Sequence, residues 1–135
     1  MSEADAAPRK KKPPRNPVSA EQRELFEQHL INWQDQLGLV SWRINFSEKK
    51  PPRSASADVE CFHPDRLASI RLGADLGGTK VTSENLEALA IHELLHVLLA
   101  PLKDQVASGL EGESLDAYEH QVINTVQKLL TQGRI

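Results

Sequence analysis

Residues 86–102 read LEALAIHELLHVLLAPL. From Ala88 to Leu102 every residue is apolar or proline except His92, Glu93 and His96. An α-helix turns about 100° and rises about 1.5 Å per residue, so His96 leaves it about 40° round from His92 and about 6 Å further along. Glu93 flanks the pair at about 100°. Leu, Ile, Val and Ala cover nearly every other direction. A helix that is apolar all round belongs in a core. The stretch therefore predicts a central helix whose three polar groups are buried or line a cleft.

An ionised carboxylate without a partner is costly to bury. A divalent cation resolves the difficulty. Two neutral imidazoles one turn apart each offer it a lone pair, and the carboxylate gains a metal-activated water to bond. The plainer alternative is that all three polar groups are satisfied by core hydrogen bonds. Thr82 or Ser83 is expected to cap this helix, with Glu84 and Glu87 in its first turns, where the dipole favours anions. Pro101 is expected to end it near Ala100.

The flanks have their own periods. In SAEQRELFEQHLINWQDQLGL (19–39), Phe26, Leu30, Trp33 and Leu37 recur at helical spacing. Ser19 and Gln22 form a capping box, and Gly38 suits the position after the helix. His29 reads as a packed or surface histidine. VSWRINF (40–46) alternates like a strand, as do ADVECFH (57–63) and LASIRLG (67–73). The short PDR link predicts antiparallel pairing of the last two. Residues 115–131 form a last helix capped by Ser114, with Gly133 after it. The expected fold is α+β: an N-terminal helix, a small, largely antiparallel three-stranded sheet, the motif helix and a C-terminal helix.

Composition narrows the functional classes. The chain has 135 residues, enough for one domain, and 39% are hydrophobic with few aromatics. Cys61 is the single cysteine, which excludes an internal disulfide and a Cys-rich zinc site. The N-terminus lacks the apolar run of a signal peptide. The run near residues 88–102 is shorter than the roughly 20 residues a bilayer requires. No membrane association and a cytoplasmic location are expected. Residues 1–17 carry five basic residues (Arg9, Lys10, Lys11, Lys12, Arg15) against two acidic ones, whereas residues 18–135 carry eleven against seventeen. The first segment, Pro-rich and aperiodic, is expected to be a disordered tail before a domain at 18–135. Its basic run reads as a solvating tail or as a weak nucleic-acid contact through those five residues.

The segment ALAIHELLHVLL resembles the active-site helix of zincin metallopeptidases. The order of sheet, motif helix, loop and further helix is also similar, and is nearest the minimal zincin-like proteins of phages and bacteria around the SprT-like and ImmA-like groups. Leu99 and Leu102 stand where the metzincin extension requires Gly and His, and the only methionine is Met1, so that branch is excluded. The resemblance implies Zn²⁺ as cofactor, a protein or peptide substrate, and alignment of that substrate by edge pairing with the strand preceding the motif helix; which strand is the edge is left open.

Catalytic zinc keeps three protein ligands. Asp104, Glu111, Glu113, Asp116, Glu119 and His120 follow the motif. On the last helix, Leu115, Val122, Val126 and Leu129 define an apolar face that includes Glu119, as in the glutamate-zincin pattern. His92, His96 and Glu119 are therefore the expected ligands, with His120 as the alternative third. Glu93 is the expected general base, and Tyr118 and His63 are candidate oxyanion donors. A zinc-dependent peptidase is the reading that results. A non-enzymatic regulatory or nucleic-acid-associated module on the same scaffold is the alternative.

Overall fold

The structure is a computed structural model that describes residues 15–52, 55–106 and 112–132. Helix α1 (Ala20–Gln36) is followed by β1 (Arg43–Ser47), β2 (Ala57–Phe62), a 3₁₀ turn at His63–Asp65, β3 (Leu67–Leu72), α2 (Ser83–Val106) and α3 (Gly112–Gln132). The α+β class is as expected.

Helix α1 starts where its chemistry dictates. Ser19 Oγ accepts from the Gln22 amide at 3.1 Å, and Gln22 Oε1 accepts from the Ser19 amide at 2.8 Å. Gly38 follows the helix at φ 72°, a left-handed conformation that glycine adopts without steric cost. Phe26, Leu30 and Trp33 form the buried stripe; α1 packs on α2, and Phe26 meets Phe46 of β1 with ring centroids 5.5 Å apart.

The sheet runs β1-β3-β2. β2 and β3 pair antiparallel, as the short turn required. Arg66 closes that turn in the left-handed region, its amide donating to the His63 carbonyl. β1 and β3, however, pair in parallel, which makes the sheet mixed and corrects the largely antiparallel expectation. The cause is where apolar residues fall. Ala68, Ile70 and Leu72 on β3 are fully buried, so β3 takes the centre. The polar connection after β1 then carries the chain across to the far edge for β2. β1 is also shorter than its alternation suggested: Trp42 is buried just before it, whereas Val40 is exposed.

Helix α2 is the pillar of the molecule. Thr82 Oγ1 caps it, accepting from the Asn85 amide at 3.1 Å. Leu86, Ala90, Ile91, Leu94 and Val97 are fully buried, and α1, β2 and α3 all pack on the helix. It does not stop at Ala100. It continues through Pro101 to Val106, which carries Lys103 to two carboxylates of α3. At this length α2 is apolar and long enough to cross a bilayer, but it is the core helix here. The apolar wrapping is not complete either, since Leu98 and Leu102 are exposed.

Two further differences concern the chain ends. α3 begins at Gly112, so Ser114 lies within the helix rather than capping it. At the N-terminus, the chain is tied down from Arg15 onward. Asp75 accepts from the amides of Arg15 (3.3 Å), Asn16 (2.7 Å) and Gly77 (3.2 Å), and the Leu76 amide donates to the Asn16 carbonyl at 2.9 Å. Arg9, Lys10, Lys11, Lys12, Glu111 and Gly133 lie outside the described residues.

Candidate metal centre

A cleft of about 460 Å³ opens between α2, β2 and α3. Its floor is the motif. Glu93 is 4% exposed and has no hydrogen bond or ion pair among the described residues. Burial chiefly, then the nearby Asp58 and Glu119 carboxylates, push its carboxyl up to about 8. A buried acid without a partner from the chain calls for one from outside it.

His92, His96 and His120 converge above it. One ring nitrogen from each lies within 4.8 Å of the others. The ring centroids are 5.1 Å apart for His92–His96, 4.9 Å for His96–His120 and 5.8 Å for His92–His120. Burial lowers the pKa of both His92 and His96, which favours the neutral, ligating form. Zinc–nitrogen bonds are about 2.0–2.1 Å long, so the three rings would have to draw in to hold one ion together. His120, on the exposed rim, has room to do so.

The second nitrogen of each ring is already committed. His92 Nδ1 lies 3.1 Å from Gln127 Oε1. His96 Nδ1 lies 3.1 Å from Glu119 Oε2. His120 Nδ1 lies 2.9 Å from the Asp116 carbonyl. All three partners are acceptors, so each Nδ1 donates to its partner, which leaves Nε2 as the atom able to offer a lone pair. Metal-ligating histidines have this pattern, in which an outer acceptor fixes tautomer and ring direction. The residues present therefore fit a divalent cation.

Glu119 is buried, as the helical wheel anticipated, but its two oxygens are engaged by His96 and by Lys103 Nζ at 3.1 Å. The wheel succeeded on an imperfect basis. Val122 and Leu129, taken as inward, are 49% and 66% exposed, and the inward face runs through Leu115, Glu119 and Ile123. Neither expected oxyanion donor reaches the cleft. Tyr118 is exposed, and His63 Nδ1 faces Asp104 Oδ2 at 3.4 Å from the 3₁₀ turn. His29 lies elsewhere, beside Ser83 and Glu87.

Sequence reasoning missed four contributors. Gln127 is on the inward side of α3, eight residues past Glu119. Lys103 was obscured by Pro101. Asp58 points into the cleft from β2 while paired with Arg71. Cys61 also lines the cleft, and burial pushes its thiol up to about 11, so it stays protonated. One strand assignment changes as well. The strand that immediately precedes the motif helix, β3, is central, and the free edge beside the cleft belongs to β2, whose Ala57, Val59 and Cys61 line it. No family model, curated protein or solved structure matches the chain.

Proposed function

We propose that the protein is a zinc-dependent metallopeptidase acting on an intracellular protein, with His92, His96 and His120 as the metal ligands. The observation that carries this reading is the triple commitment of Nδ1: three imidazoles converge, and every one has an outer acceptor that frees Nε2. Glu119 then acts as the carboxylate that orients His96 rather than as the third ligand.

Zinc in such a site supplies Lewis acidity, acidifying water and polarising the scissile carbonyl. The chain does the rest. Glu93 is the one cleft carboxylate with neither a hydrogen bond nor an ion pair among the described residues, which suits a proton carrier. As general base it takes a proton from the attacking water and then delivers it to the leaving amine. The exposed edge of β2 offers main-chain donors and acceptors for an extended substrate.

Glu93→Gln tests the reading. The variant is expected to keep wild-type zinc content and to lose at least about 100-fold in peptide cleavage, the scale of a lost general base. His92→Ala is expected to lose the zinc. Zinc content unchanged in His92→Ala sinks the site. Full cleavage by Glu93→Gln removes Glu93 as base.

A further inference from the structure

We propose that Lys103 selects the ligand set of this site: by holding Glu119 on His96, it leaves the third coordination position to His120. The inference rests on the metal-site reading above and adds to it the residue that decides between two adjacent candidates, Glu119 and His120.

Lys103 follows His96 by seven residues, which places it about 20° round α2 from His96 and about 10 Å further along. It occupies that place because α2 runs on through Pro101. From there Nζ donates to Asp116 Oδ1 at 2.7 Å and to Glu119 Oε1 at 3.1 Å. Each of these residues also supplies the acceptor for a ligand imidazole. Glu119 Oε2 takes His96 Nδ1, and the Asp116 carbonyl takes His120 Nδ1. The ammonium thus holds the outer partner of His96 directly, while the Asp116 carbonyl that meets His120 is backbone of α3.

The two carboxylates differ in what they do without it. The Asp116 side chain is 58% exposed, so water replaces the ammonium. The Glu119 side chain is 6% exposed, so water does not. A buried carboxylate bonds to the strongest cation within reach. With Lys103 present, Glu119 has one oxygen on the ammonium and one on the His96 ring. With Lys103 removed, the remaining cation is the metal itself, on the opposite nitrogen of the ring that Glu119 touches, and Glu119 leaves that ring to reach it. Glu119 then ligates directly, and His120, on the exposed face of α3, is displaced. Lys103 is therefore a positioning residue acting through Glu119.

The test is a four-way comparison in the full-length chain: wild type, His120→Ala, Lys103→Gln and the double variant. Zinc affinity is read by competition with a chelating dye, and the visible spectrum of each Co²⁺ derivative reports coordination. In the wild type, His120→Ala is expected to weaken zinc by about 100-fold or more, and in the Lys103→Gln background by less than about 10-fold. The Co²⁺ spectrum is expected to change on Lys103→Gln. Lys103→Arg, which keeps the cation, is expected to restore both the large His120 penalty and the wild-type spectrum. It also supplies a folded comparison should Lys103→Gln be unstable. An equal His120 penalty in the two backgrounds, with tight wild-type zinc, overturns the role of Lys103 alone. A wild type that binds no zinc overturns the metal site as well.

Discussion

Glu93 concentrates the physical chemistry of the protein in one side chain. Its carboxyl is pushed from 4.5 to about 8, mainly by burial. The folded value lies above the unfolded one, so the folded state holds this proton more tightly. The associated stability is fully present below pH 4.5 and is lost as pH rises towards 8. Metal-free protein is therefore expected to weaken over that window. Glu93→Gln, which cannot ionise, gains over the wild type by on the order of 4 kcal/mol at pH 8 and by almost nothing near pH 4. Urea unfolding in chelator across that range checks this, and a difference independent of pH contradicts it. The outer partners carry a second prediction. Gln127→Ala and Glu119→Ala, which free the Nδ1 positions of His92 and His96, are each expected to weaken zinc binding by about 10–100-fold while leaving its stoichiometry at one. The histidine pair was legible in the sequence because i, i+4 spacing is fixed by helix geometry. Gln127 was not, because a polar residue on a half-exposed helix carries no signal of its partner.

Among the elements, α2 departs most from its sequence. Proline lacks the amide that would bond the Val97 carbonyl, and interior proline costs a helix about 3 kcal/mol. α2 nonetheless continues, and the ion pairs of Lys103 with Asp116 and Glu119 lie on the continued segment. Pro101→Ala is expected to stabilise the fold by about 1–3 kcal/mol in denaturant unfolding without altering zinc affinity. A loss of stability contradicts a strained continuation. α1 is the opposite case, since the capping box, the apolar stripe and Gly38 all act locally and all were readable. The sheet was half readable. Antiparallel β2–β3 pairing follows from a short turn, but the parallel β1–β3 pairing depends on which strand the core selects for its centre, and no local pattern encodes that.

At the scale of the whole molecule, the cleft forms because β2 and α3 both pack on α2. α2 provides the floor, β2 a free edge and α3 the third histidine with the outer partners. Arg15 and Asn16 are tied in through Asp75, whose carboxylate is held below the ordinary range by the amides of Asn16, Gly77 and Arg15. Asp75→Ala is expected to speed proteolysis around Arg15–Pro17 while leaving zinc binding unchanged, as mass spectrometry of timed digests would register. The central claim concerns three histidines acting together. The chain has five, His29, His63, His92, His96 and His120, so it contains its own controls. Long-range ¹H–¹⁵N NMR of the imidazoles during zinc titration is the most direct measurement. Nε2 of His92, His96 and His120 is expected to shift with one equivalent of zinc, their Nδ1 positions to stay protonated, and His29 and His63 not to respond. Unchanged Nε2 resonances at His92 and His96, or coordination through Nδ1, would contradict the central claim.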